Sequence, residues 1–237
     1  MAVYECGEVL MEIKNKVILI TGSSSGIGKE TAILFAKQGA KVIITYNKNK
    51  SSALSVFKEC SKYSKCFLVQ LKLSQDNSIK KSLKTIKEKF GAVDILINNA
   101  GVLYDKPLLE QSVEEIEEQI NINLTSQIKI TKLLLPELQK RDEALIINIS
   151  SMAGKRAHEG FTAYSASKFG VRGFTQALTC ELQDNVRIYC VNPGLTATPM
   201  TNFHGVSTKV VAKKILETAL EILNKKSGDD IDLEEYS

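Results

Sequence analysis

Short, unbroken apolar runs alternate along the chain with longer stretches that mix apolar and charged residues. Val17-Ile18-Leu19-Ile20, Ile95-Leu96-Ile97 within Val93-Asp94-Ile95-Leu96-Ile97, and Ala144-Leu145-Ile146-Ile147 are of the first kind. Runs of this length, bounded by turn residues, read as strands buried on both faces. The pattern predicts strands at about 16–21, 41–46, 66–71, 93–97, 144–150 and 186–191, with a short seventh at Ile231-Asp232-Leu233. Helices are predicted between them, at about 27–38, 51–61, 75–90, 112–135 and 162–183, and a last one at 207–224. Gly39 and Gly91 fall where helices end in a left-handed residue, and Ser112-Val113-Glu114-Glu115 has the form of a capping box. Strand–helix alternation predicts a doubly wound α/β fold, a parallel sheet with helices on both faces.

The turn after the first strand is Thr21-Gly22-Ser23-Ser24-Ser25-Gly26-Ile27-Gly28. A glycine-rich strand-to-helix turn offers backbone N–H groups and a helix N-terminus to a pyrophosphate. Its spacing is Gly-x-x-x-Gly-x-Gly rather than the Gly-x-Gly-x-x-Gly of the standard fingerprint. Gly22 permits the tight turn, Gly26 the approach of phosphate, and Gly28 close helix–strand packing. Asn98-Asn99-Ala100-Gly101 follows the fourth strand and Ser151 the fifth, at the strand ends where open α/β sheets bind ligands.

Tyr164 and Lys168 stand four residues apart within Tyr164-Ser165-Ala166-Ser167-Lys168, one turn apart on the same side of a helix. A free phenol holds its proton to about pH 10, and a neighbouring ammonium favours the phenolate. Bringing it to about 7 needs roughly 4 kcal/mol of differential stabilisation, which Lys168 and a cationic nicotinamide in a dry cleft would share. Such a phenol is a proton donor for a carbonyl undergoing reduction. Spacing alone proves little, since Tyr46 and Lys50 repeat it without the company of other motifs.

With Asn192-Pro193-Gly194, these motifs stand in the order and spacing of the short-chain dehydrogenase/reductase family, which the chain resembles over nearly its whole length. The resemblance implies a single Rossmann-type domain with about seven mostly parallel strands, spanning 1–237. It also implies hydride transfer between a nicotinamide dinucleotide and a carbonyl or alcohol. It assigns the acid/base to Tyr164, and to Lys168 both the lowering of the Tyr164 pKa and a ribose contact. Ser151, rather than Ser150, polarises the substrate oxygen, and Asn123, before Leu124-Thr125, holds a water that links the lysine to solvent. Dinucleotide contacts fall on Gly22, Ser24, Ser25, Gly26, Ile27 and Gly28 in the glycine turn. Further contacts fall on Tyr46, Asn47, Lys48 and Leu73, then on Asn99, Ala100 and Gly101. Pro193, Gly194, Thr196 and Thr198 belong to the loop that locks the nicotinamide, and Tyr164 and Lys168 complete the set.

Cofactor choice turns on the end of strand two. Enzymes that take NAD place a carboxylate there, about 20 residues past the glycines. Tyr46 lies 18 residues after Gly28, and Lys41 to Lys50 contains no Asp or Glu but does contain Asn47, Lys48, Asn49 and Lys50. NADP is therefore expected over NAD, although Ser25 stands where the family's NADP members often carry a base. Lys72 replaces the family's usual adenine-binding Asp after strand three, which leaves apolar contact and the backbone at Leu73 to hold adenine. After Met200 only Thr201 to Val206 precedes the last helix, so an open site with little lid is expected.

The rest of the composition narrows the class. Of 237 residues, 43% are hydrophobic and 24% charged, and the net charge is +4. That is ordinary for a globular domain, with no nucleic-acid surface expected and no apolar run near the roughly 18 residues of a membrane span. The five cysteines and two histidines have no metal-ligand spacing, so no metal and a reduced, cytoplasmic setting are expected. Residues 1–14, with Glu5, Glu8 and Glu12, read as an N-terminal extension, either an added strand or arm or a prelude to a start at Met11. Residues 228–237 read as an acidic tail. The family's habit implies a homodimer or homotetramer, the dimer built on the helices at 112–135 and 162–183. The expected partner is a small carbonyl or alcohol: a 3-oxoacyl thioester, or equally a sugar, polyol or simple aldehyde or ketone. The rival reading is a catalytically silent NAD(P)-sensing protein on the same fold.

Overall fold

The computed structural model describes residues 11–233; most of the N-terminal extension and the end of the acidic tail lie outside them. Seven strands form one sheet: β1 (Val17–Ile20), β2 (Lys41–Tyr46), β3 (Cys66–Gln70), β4 (Ile95–Asn98), β5 (Ala144–Ile149), β6 (Val186–Pro193) and β7 (Asp230–Leu233). Their order across the sheet is β3-β2-β1-β4-β5-β6-β7, and every ladder is parallel. The order reverses between β1 and β4, the place where doubly wound sheets open a ligand crevice at their carboxyl edge.

Alternation along each strand divides the core into two layers. Ile18, Ile20, Val42 and Ile44 point to one face, against α1 (Gly26–Lys37), α2 (Lys50–Cys60) and α7 (Thr208–Ala219). Val17, Leu19 and Ile43 point to the other, against α3 (Asp76–Phe90), α5 (Ser126–Leu138) and α6 (Thr162–Thr179). With both faces covered, the strands carry apolar residues at consecutive positions, which is why they read as unbroken runs.

The helices begin where side chains satisfy their first N–H groups. Asn49 accepts from the Ser52 N–H at the start of α2. Ser112 and Glu115 form the expected capping box of α4 (Val113–Ile120). The helix expected over 112–135 differs from a plain α-helix. After α4 comes one turn of π-helix, Asn121–Thr125, in which the Ser126 N–H reaches back to the Asn121 carbonyl before α5 continues. The last helix ends at Ala219 rather than near 224, because Glu221 and Asn224 take left-handed backbone conformations, with φ of 56° and 49°. The short seventh strand is present, paired in parallel with β6.

Phe35 is a fully buried side chain of α1. Phe35→Ala is expected to lower unfolding free energy by about 3–5 kcal/mol. Urea denaturation checks this, and a loss below about 1 kcal/mol would mean that the α1 face is not the packed core described here.

Candidate active site

A cleft of about 420 Å³ runs along the carboxyl ends of β1, β4, β5 and β6. Its floor is built by hydroxyls that tie the first turn to neighbouring strands. Thr45 Oγ1 donates to the Ile20 carbonyl and accepts from the Gly22 N–H, at 3.0 Å each. Ser23 Oγ donates to the same Ile20 carbonyl at 2.9 Å and accepts from the Thr45 N–H at 2.8 Å. Thr21 Oγ1 accepts from the N–H groups of Asn99 and Ala100 at 2.9 and 3.0 Å. The two glycine-bearing loops are thereby fixed to each other before any ligand arrives.

The close approach of these loops explains the glycines. A Cβ on Gly22 would lie 2.9 Å from the Ala100 Cα, and one on Gly28 would lie 2.5 Å from Asn99 Nδ2 and 2.6 Å from the Gly22 carbonyl oxygen. Gly22, Ser24, Ser25, Gly26 and Ile27 line the cleft, whereas Gly28 does not; its part is to let the helix pack on the loop. Ser25 makes no side-chain cap to α1, so the first N–H groups of that helix face outward at the cleft. Those donors, the helix dipole and a bare loop surface suit a pyrophosphate, and the residues present fit a dinucleotide.

The rest of the wall follows most of the expected residues. Tyr46 and Asn47 at the end of β2, Leu73 beyond β3, and Asn99, Ala100 and Gly101 beyond β4 all line the cleft. So do Pro193, Gly194, Thr196 and Thr198. Lys48 is an exposed neighbour of Asn47 and is not part of the wall. Lys72 is likewise absent from it; its N–H donates to Ser78 Oγ at 3.0 Å, and Leu71 and Leu73 form that side. Sequence reasoning missed Thr45, Val102, Glu118, Ile122 and Met200 as lining residues. The segment after Met200 is compact: Ala197 and Val206 pair by a 2.8 Å backbone bond, and Pro199, Met200 and Thr201 overhang the cleft.

At the inner end stand Ser151, Tyr164 and Lys168. Lys168 is 3% exposed, and its Nζ donates to the Ile149 carbonyl at 2.9 Å and lies 5.6 Å from the centre of the Tyr164 ring. Phe161 meets that ring edge-on, with centres 5.6 Å apart. Ser151 begins the turn Met152–Gly154, its Oγ accepting from the Ala153 N–H at 3.1 Å. Asn123 lies behind the cleft, fully buried. Its Oδ1 accepts from the Val102 N–H at 2.8 Å, and its Nδ2 donates to the Val102 carbonyl and Ser167 Oγ at 2.9 and 3.1 Å. The Asn123 side chain is thus used up in joining the β4 loop to α6. It sits on the π turn, a distortion common at functional sites.

In the protein alone, burial pushes Tyr164 up to about 12, and hydrogen bonding with Ser151 partly opposes this. Burial also brings Lys168 down to about 8, with the nearby Cys190 acting weakly the other way. Desolvation is the largest influence on both groups. At neutral pH the phenol keeps its proton and the ammonium keeps its charge.

A family model described as short chain dehydrogenase matches residues 16–206. The 3-oxoacyl-(acyl-carrier-protein) reductase of Thermotoga maritima is 36% identical over 212 residues, covering 89% of this chain and 83% of its own. An uncharacterized oxidoreductase of Staphylococcus saprophyticus is 32% identical over 223 residues, covering 92% and 95%. The crystal structure of levodione reductase superposes with a TM-score of 0.86 at 20% identity, covering 93% of this chain and 96% of that one, and shares the fold.

Burying a lysine ammonium has a sign that can be measured. Between pH 8 and 10 the folded protein sheds a Lys168 proton that the unfolded chain, with the ordinary value of 10.5, retains. Stability from this group therefore rises with pH in that window, and the full cost is present below pH 8. Lys168→Met is expected to raise Tm more at pH 7 than at pH 10. An equal shift at both would show that the ammonium is not desolvated. The matched family, covering most of the chain, and a cleft built to its pattern make this protein a member of the short-chain dehydrogenase family, an NAD(P)(H)-dependent oxidoreductase of carbonyl and alcohol substrates and not a silent sensor.

Proposed function

We propose that the protein is an NADP(H)-dependent carbonyl reductase in which Tyr164 is the proton donor. The observation that carries this reading is the convergence of Ser151, Tyr164 and Lys168 on one end of a cleft whose other end is the glycine turn. When bound, the nicotinamide supplies the hydride. Ser151 orients the carbonyl oxygen by hydrogen bonding. Tyr164 holds a proton at Oη, about 12 in pKa, and gives it to an alkoxide that is far more basic than a phenolate. Lys168, charged below about pH 8, sits behind the phenol and favours the phenolate as it forms. Gly101 packs beside both Asn123 and Lys168, at 3.2 Å to Asn123 Oδ1 and 3.7 Å to Lys168 Nζ from the position of a Cβ. Asn123 is accordingly a positioning residue that holds the β4 loop beside the lysine.

The preference for NADP rests on Tyr46 and Asn47 at the β2 rim, with Lys48 and Lys50 beyond them and no carboxylate. A 2′-phosphate meets amides and ammonium groups there instead of a repelling charge. Relatives named as 3-oxoacyl-(acyl-carrier-protein) reductases, including one from Vibrio cholerae at 38% identity over 192 residues, favour a 3-oxoacyl compound as substrate. A homodimer or homotetramer is consistent with Ile128, Leu133 and Phe169, large apolar side chains exposed on α5 and α6. Four free thiols among the described residues fit a reducing compartment such as the cytoplasm.

The test is loss of NADPH absorbance with ethyl acetoacetate, butane-2,3-dione and 4-nitrobenzaldehyde. Tyr164→Phe is expected to keep NADPH affinity and to lose kcat on the order of 10²-fold or more; an active Phe variant would remove the phenol from the mechanism. Asn47→Asp is expected to weaken NADPH binding while sparing NADH, read by fluorescence titration. Equal losses for the two dinucleotides would show that the β2 rim does not sense the 2′-phosphate.

A further inference from the structure

The last strand carries two carboxylates that reach back to the site. Asp230 accepts from Arg172 Nε at 3.1 and 3.0 Å through its two oxygens, and from Arg172 Nη2 at 2.6 Å. Asn192, at the end of β6, donates to Asp230 Oδ1 at 3.0 Å and to Asp232 Oδ1 at 2.8 Å. Lys155 donates to Asp232 Oδ2 at 2.5 Å and lies 3.7 Å from Asp230 Oδ2. Lys155 directly follows the turn that Ser151 begins.

Arg172 is the link to the reacting groups. It lies one turn beyond Lys168 on α6, so Tyr164, Lys168 and Arg172 form a single i, i+4 stripe. Its Nη1 donates to the Gly154 carbonyl at 2.9 Å. The Gly154 N–H in turn donates to the Ser151 carbonyl at 2.8 Å. Gly154 is packed so tightly that a Cβ there would be 2.7 Å from Ser150 Oγ and 2.9 Å from the Lys168 carbonyl oxygen. Ser150 Oγ itself donates to that Lys168 carbonyl at 2.9 Å. The serine turn therefore rests directly on the backbone of the lysine, and the guanidinium clamps it there.

We propose that Asp230 is a positioning residue for the reaction: it aligns the Arg172 guanidinium so that the Ser151 turn is held against α6 and the Ser151 hydroxyl stays in reach of the Tyr164 phenol. The inference rests on the reading of Ser151 and Tyr164 given above. A fork-shaped guanidinium has a fixed donor geometry, so its direction is set by the carboxylate that it grips. Without Asp230, Arg172 loses three of the four bonds described here and the Gly154 carbonyl loses an aimed donor. Burial acts to raise the Asp230 carboxyl, but the bonds from Arg172 and Asn192 and the charges of Arg172 and Lys155 hold it below its ordinary range. The clamp is thus ionised at neutral pH. Asp232 and Lys155 brace the same turn from its far end. The consequence is that β7, the edge strand of the sheet, is part of the machinery that aligns two residues some 66 and 79 positions earlier in the chain (230 − 164 and 230 − 151).

The experiment is a double-mutant cycle between Asp230 and Ser151, read as kcat and KM with NADPH and the fastest of the three carbonyl compounds. Asp230→Asn keeps the size of the side chain and can still accept a bond from Arg172, so the fold is retained; NADPH fluorescence verifies it. The variant is expected to lose kcat on the order of tenfold, the scale of a small misalignment, with KM for NADPH unchanged. In a Ser151→Ala background the same substitution is expected to add nothing, because the group being aligned is gone. Lys155→Met, at a partly exposed site, is expected to show the same pattern more weakly. Full kcat in Asp230→Asn, or a loss that multiplies onto Ser151→Ala, would overturn the positioning role. If Ser151→Ala itself keeps full kcat, the reading of the serine falls and this inference with it. If Ser151→Ala is impaired while Asp230→Asn is not, only the inference falls.

Discussion

One buried ammonium governs the arrangement of the site. Lys168 Nζ is enclosed at the inner end of the cleft and rests on the Ile149 carbonyl. A desolvated cation is costly unless its surroundings are fixed around it. The surroundings here are fixed from three directions. Ser150 holds the lysine's own backbone, Asn123 fastens the β4 loop to Ser167 one residue away, and Gly154 packs on the Lys168 carbonyl. A side chain held this way does not wander, and the phenol one turn earlier inherits its position.

Fixing the two glycine-bearing loops is the second requirement, and side-chain hydroxyls meet it. Thr21, Ser23 and Thr45 have their bonds made among β1, β2 and the β4 loop. The cleft therefore has its shape from the protein alone. Preorganisation of this kind spares a dinucleotide the cost of ordering the loops when it binds.

Much of this was legible in the amino-acid order, and what was not has identifiable reasons. Strands buried on both faces announce themselves as apolar runs, so β1, β4 and β5 stood out. Tyr164, Lys168, Ser151 and the glycine turn were visible because their spacing is local. Thr45 and Ser23 were invisible because a lone hydroxyl in or beside a strand reads as an ordinary strand or turn residue. How far burial raises the phenol depends on how completely other elements close over the ring, which no local spacing encodes. The grip of Asp230 on Arg172 joins residues 58 apart, through two elements whose adjacency is known only once the sheet order is known.

The single wide turn at Asn121–Thr125 has a geometric consequence for everything that follows it. It inserts one extra residue into an otherwise continuous rod. Each residue of an α-helix advances the azimuth by about 100°. Rewinding those five residues as plain α-helix, with none removed, would swing the downstream cylinder by roughly that angle. Ile130, Leu134 and Leu138 would then leave the sheet, and polar neighbours would take their place. The bulge is therefore a phase-setter. It allows one continuous helical rod to present Asn123 to Ser167 of α6 and, about two turns later, an oily stripe to the strands.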